Sequence, residues 1–213
     1  MNVLIWNSPW IAQGDILFYK NCFVKHLVPQ ANMLLSMGHN VSVVTHDLIS
    51  DEAKKISAKA KIINLSLSDV IGMVGVLSDP SQALYADAQG EKTAAIQAGL
   101  EGRLADHYDL ILLWETPVPF LEARYPEALI VHQMPGAFCR APFPHMVTFD
   151  PVGLYKQGSL YRHFDEIVAA GNGYNVNSPA SQFTSSVKDA IAQISPFSPQ
   201  DFDPKGQYRH LAL

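Results

Sequence analysis

Cysteine is scarce in this chain. Cys22 and Cys139 are the only two in 213 residues, far apart and without a CxxC partner, which argues against a disulfide framework or a zinc site. Both read as ordinary buried thiols. Long apolar runs are missing too: no stretch reaches the roughly 18 to 20 residues of a spanning helix. The N-terminus also lacks the basic, then apolar, then small-residue order of a signal peptide, so a cytoplasmic location is expected. Charge is sparse at 16%, and the excess is acidic, with a formal net charge of −5. A nucleic-acid binder needs a basic face, so no nucleic-acid partner is expected. A GxGxxG phosphate loop is absent after the first apolar strand, where only Gly14 stands, so close backbone approach to a pyrophosphate has no support. GxSxG is absent as well, and no Ser-His-Asp order is compelling for a hydrolase.

What is present is a hydrophobic content of 48% in a chain long enough for one substantial core. Asn2-Val3-Leu4-Ile5-Trp6 reads as a strand. Leu27, Ala31, Leu34 and Leu35 then recur at helical spacing until Gly38-His39, and Val41, Val43 and Val44 form the next strand. That opening is a βαβ unit with two parallel strands. A short helix over 51–60, capped by Ser50 or Asp51, and a third strand over 61–65 follow. Residues 66–107 read as helix in pieces, broken near Asp79-Pro80 and at Gly90. The nearly unbroken apolar run 109–114 predicts a strand buried on both faces. A short helix over 119–125 and a fifth strand over 128–132 complete the alternation. The expected fold is α/β: a Rossmann-like, doubly wound, mainly parallel sheet flanked by helices.

Beyond His132 the segment 133–144 is rich in proline and aromatic residues, too apolar for a flexible linker. Residues 146–150 read as a short strand and 154–170 as a helix closed by Gly171. A sixth strand is expected over 174–177. Ser178-Pro179 then caps a helix with Ala180, Phe183, Val187 and Ile191 on one face.

Four segments carry a family resemblance. His26-Leu27-Val28-Pro29 through Gly38-His39-Asn40-Val41-Ser42-Val43-Val44-Thr45 is similar to the pattern H-x-x-P … L-x-x-x-G-H-x-V-x-V-x-T that opens the N-terminal domain of GT-B glycosyltransferases. Leu129-Ile130-Val131-His132 resembles their strand ending in a cleft histidine, and Val176-Asn177-Ser178-Pro179-Ala180-Ser181 their last strand and helix start. Residues 194–204 resemble the crossover into the second domain. The resemblance implies an acceptor domain over 1–194, a linker over 195–213 and a C-terminal donor-binding domain as partner. It also implies a nucleotide-sugar donor as cosubstrate, with no other cofactor, and a saccharide or lipid-linked acceptor; a metal is not indicated, because no DxD-like pair stands in a cleft loop. The proline-aromatic insertion suggests the bacterial surface-polysaccharide enzymes, working at the inner face of the membrane. Alone, the chain is expected to lack appreciable turnover.

Candidate residues follow from the loops at the strands' carboxyl ends. Asp15 stands where inverting members of the fold place the base that takes the acceptor's hydroxyl proton, although Asp also favours a helix N-cap. His132 matches the cleft histidine and is the second catalytic candidate; a structural hydrogen bond is its bland alternative. Glu115 ends the neighbouring strand and suits acceptor hydroxyls, or else caps the helix after Pro117. Arg140 can grip an anionic acceptor, or pair with Asp150. Trp10, Phe138 and Phe143 can stack on sugar rings, though loop aromatics are more often packing residues, and Gly14 in the first loop is a further substrate-binding candidate. His26 and Pro29 are expected to set the helix position and line the core or the cleft rim. Two other classes stay open: a non-catalytic nucleotide or saccharide binding module, and a complete small α/β enzyme.

Overall fold

The computed structural model describes residues 1–7, 16–75, 90–136, 147–154 and 157–171. Among the described residues, six strands form one sheet in the order β3-β2-β1-β4-β5-β6. These are β1 (Asn2–Asn7), β2 (Asn40–His46), β3 (Lys61–Leu65), β4 (Leu110–Trp114), β5 (Leu129–Pro135) and β6 (Val147–Asp150). The first five run parallel, with Trp6 beside Val44 and Leu113, and Trp114 beside Gln133. β6 runs antiparallel to β5, placing Asp150 opposite His132. The fold is therefore α/β and Rossmann-like.

Two layers of core explain the winding. Side chains alternate across a strand, so Val3, Ile5, Val43, Leu112 and Trp114 point to one face while Leu4, Trp6, Val44, Ile111 and Leu113 point to the other. The first face is covered by α1 (Ile16–Cys22), a π-turn (Phe23–Leu27), α2 (Val28–Ser36) and α3 (Ser50–Ala53), which contribute Phe23, Leu27, Ala31 and Ala53. The second is covered by α4 (Leu67–Val74), α5 (Glu91–Ala95) and α6 (Pro119–Arg124), with Val70, Ile96, Phe120 and Leu121. Connections from β1 outward to β3 thus lie on one face, and those from β3 back to β4 and on to β5 lie on the other. That reversal makes the carboxyl ends of β1 and β4 the switch point, where open α/β sheets place a ligand crevice.

Local sequence accounts for several boundaries. Gly38 has φ +84, and the amides of Gly38 and His39 donate to Leu35 and Leu34, the paired bonds of a Schellman stop that frees the chain for β2. Ser66 accepts from the Asp69 amide at 3.4 Å and starts α4. At Pro29 the chain has no amide to continue an α-helical ladder, and just before it Val28 donates to Phe23, five residues back.

Other expectations need correction. The helix over 51–60 shrinks to α3, with Asp51 engaged by Lys54 at 2.6 Å instead of capping. β5 runs on to Pro135, three residues past His132, because its backbone gains a second partner in β6. The single helix over 154–170 is two pieces, α7 (Ser159–Arg162) and α8 (Phe164–Gly171). The chain divides after His163, and α8 opens the second compact unit. Its first turn carries Asp165 and Glu166, as suits the positive end of a helix. The strand expected over 174–177, the helix after it and the crossover segment 194–204 lie outside the described residues. Among the described residues, no helix is long and apolar enough to cross a membrane.

Candidate functional site

Polar residues end the apolar strands at this switch point. β1 closes with Asn7, which is 3% exposed and donates through Nδ2 to Thr45 Oγ1 at 3.3 Å on β2. β4 closes with Trp114, beside Asn7 in register. Glu115 follows it directly.

Glu115 is the one non-glycine residue with positive φ among the described residues, at +58. A side chain in that left-handed region costs roughly 1–2 kcal/mol. The chain accepts this because it must leave β4 within two residues to enter Thr116-Pro117-Val118, and the Glu115 amide is held by the Gln133 carbonyl at 2.8 Å. Strain of this kind gathers at functional sites. Burial pushes the Glu115 carboxyl up from 4.5 to about 7, so it is part acid and part base at neutrality. Thr116 donates back to the Trp114 carbonyl at 3.4 Å and stabilises the turn.

Behind Glu115 lies a polar seam between α2 and the sheet. The His26 ring stacks on Trp114, with centroids 5.3 Å apart and planes at 26°. One turn further, Gln30 Nε2 donates to Gln133 Oε1 at 3.0 Å. The π-turn matters here. Its extra residue per turn rotates the following helix, and His26 and Gln30 face Trp114 and Gln133 while Leu27, Ala31 and Leu34 keep the core. His26 is thus buried against the sheet, whereas Pro29, the other residue expected to line the core or the cleft rim, is exposed.

His46 ends β2, fully buried, and neither ring nitrogen has a hydrogen-bond partner. Burial lowers its pKa to about 4; Asp47 opposes the shift and Lys20 adds to it, so the ring is neutral at physiological pH. Lys20 itself pairs with Glu52 at 3.4 Å.

His132 lies elsewhere. It shares the face of Ile130 and Leu113, opposite to that of Gln133 and Trp114, and it is inside β5 instead of at its end. Burial lowers its pKa, with Asp150 pulling the other way. It borders a cleft of about 380 Å³ with Glu122, Tyr125, Ile130 and Pro151. Desolvation raises the Asp150 carboxyl, but donors from Ser159, Val152 and Gly153 outweigh it and hold the group below its ordinary range. Asp150 thereby shapes the turn after β6.

Compared with known proteins, the chain matches no family model and no curated sequence. The site therefore rests on its own geometry.

Of the residues expected from sequence, Glu115 stands at the carboxyl end of β4, at the switch point, and His132 on the sheet's other face. Asp15, Trp10, Gly14, Phe138, Arg140 and Phe143 lie outside the described residues. Sequence reasoning missed Asn7, Thr45, His46, Gln30 and Gln133. A signal was present for four of them: Asn7, Thr45, His46 and Gln133 are polar residues closing or interrupting apolar strand runs, where burial makes a polar side chain costly without a task. Gln30 carried no such signal, because a polar residue on an amphipathic helix reads as solvent-facing.

Proposed function

We propose that the crevice around Glu115 binds the hydroxyl-bearing acceptor of a sugar transfer, which makes the chain an acceptor-side domain of a GT-B glycosyltransferase. The observation that carries this reading is Glu115 itself: a strained, partly desolvated carboxyl at the switch point of a doubly wound sheet, with a pKa raised to about 7. The opening helix-stop-strand pattern and the later resemblances support the family. In this reading Glu115 accepts the acceptor's hydroxyl proton while that oxygen bonds to the anomeric carbon of a nucleotide sugar. The bond to the diphosphate breaks in the same displacement, and the departing charge stays with the nucleotide. Asn7, Thr45 and Gln133 are neutral donors and acceptors suited to sugar hydroxyls. A C-terminal donor-binding domain supplies the donor contacts, and a lipid-linked acceptor brings the protein to the cytoplasmic face of the membrane. Bacterial surface-polysaccharide synthesis is the corresponding role.

The neutral lining favours a second reading, a saccharide-binding module without turnover. The discriminating experiment combines the chain with a GT-B donor-binding domain, nucleotide sugars and a panel of saccharides. The transferase reading expects product and a fall in kcat of about 100-fold or more in Glu115→Gln. Full activity in that variant would remove Glu115 from the chemistry. Binding with no transfer under any donor would favour the module. Transfer by the 213-residue chain alone would overturn the two-domain assignment.

A further inference from the structure

The paired amides of Gln30 and Gln133 are incompletely used. Gln30 Nε2 donates to Gln133 Oε1 at 3.0 Å, yet Gln30 Oε1 and Gln133 Nε2 are buried and have no partner. Exchanging oxygen and nitrogen on both amides reverses the bond and leaves the same inventory, one unmet acceptor and one unmet donor. Exchanging only one sets like against like. The shortfall is therefore a property of the pair and not of its assignment. Gln133 is 0% exposed, so its donor is not met by bulk water, and buried polar groups are rarely left this way without a ligand or an ordered water.

We infer that this pair is a hydroxyl-binding subsite next to Glu115, taking one hydroxyl of a polyhydroxylated ligand; the inference rests on the acceptor-site reading of the crevice. A hydroxyl is the smallest ligand group that supplies one donor and one acceptor together. It donates to Gln30 Oε1 and accepts from Gln133 Nε2, cancelling both deficits. The subsite is joined to Glu115 through one residue, since the Gln133 carbonyl holds the Glu115 amide at 2.8 Å while its side chain faces Gln30. Access lies on the Gln30 side. That residue is half-buried, whereas Gln133 is fully buried, so a ligand reaching the pair has to move the Gln30 side chain. The Trp114 ring, stacked under His26, sits beside Gln133 on the same face.

The test is a titration of the full chain with methyl glucoside, galactoside and mannoside and their monodeoxy analogues, followed by NMR of the glutamine side-chain amides and the Glu115 carboxyl. The expected result is that a glycoside shifts both the Gln30 and Gln133 amides and Glu115, and that one particular deoxy analogue leaves the amides unmoved and binds about tenfold more weakly. Gln30→Met should weaken the parent glycoside by a similar factor and abolish discrimination against that analogue. The wild-type shifts keep the subsite testable even if this variant does not fold. Movement of Glu115 without the amides overturns the subsite and leaves the acceptor reading standing. Movement of neither removes both. Amides in contact with a long-lived water that saturating glycoside does not displace identify an ordered water only, which also overturns the subsite.

Discussion

Glu115 and His46 place two opposed titrations at one edge of the sheet. The Glu115 pKa is raised from 4.5 to about 7 by burial, so between these values the folded state binds more protons than the unfolded one. Its contribution is fully present below pH 4.5 and is lost as pH rises through about 7. For His46, lowered from 6.5 to about 4, the unfolded state binds more protons in that interval, so stability falls as pH drops from 6.5 towards 4. In the wild type the two slopes offset each other between about pH 4.5 and 6.5. Glu115→Gln should therefore expose an acid limb, with stability rising by on the order of 2 kcal/mol from pH 4 to 6.5. His46→Phe should expose the reverse trend, falling as pH rises through 7. Urea titrations at several pH values measure both, and parallel profiles for the two variants would contradict the assignment. A direct check is the Glu115 carboxyl carbon resonance, expected to titrate near 7. Glu115 was readable as a candidate because a lone carboxylate after Leu112-Leu113-Trp114 stands out. Its left-handed backbone and desolvation were not, since both arise from how the turn meets Gln133 on another strand.

At the scale of elements, the helix-to-strand passage at Gly38 was the clearest feature in the sequence, and it carries a distinct energetic signature. A Cβ built at Gly38 meets nothing within 4 Å, so substitution there is opposed by backbone conformation alone. Gly38→Ala should cost about 1 kcal/mol and Gly38→Asn less, by urea denaturation. A cost of several kcal/mol would mean that the stop is closed by contacts as well as by dihedral preference. The π-turn before Pro29 was harder to see. Proline announces that one amide is missing, but whether the chain kinks, starts a new helix or widens one turn is settled by what the next side chains must reach, here Trp114 and Gln133. Similarly, β5 reads as ending at His132 because Gln133 and Pro135 interrupt its apolar run. Pairing with β6 extends it, while the register with β4, His132 beside Leu113, puts His132 on the face opposite to Gln133 and Trp114.

Over the sheet as a whole, the central strands are buried on both faces, whereas the edge strand β3 is buried on one, with Ile63 and Leu65 at 1% and 5% exposed. Leu113 on β4 is 0% exposed, whereas Ile62 on the edge strand β3 is 38% exposed. Leu113→Ala should cost about 2–5 kcal/mol, because its side chain is fully enclosed in the core layer shared with Trp6, Val44 and Leu121. Ile62→Ala should cost well under half as much. Equal losses in chemical denaturation would show that the edge strand is covered in solution.

The strand and helix alternation, the buried central strands, the reversal that makes a doubly wound sheet and the position of Glu115 at the end of β4 all follow from apolar periodicity and turn chemistry, which act over a few residues and are written locally. Tertiary structure alone decided which polar residues share a site. Asn7 and Thr45, or Gln30 and Gln133, are 38 and 103 residues apart in the chain, and only strand register and a widened helical turn bring them together. The raised pKa at Glu115 and the lowered one at His46 belong to the same class, because desolvation is a property of everything packed around a group.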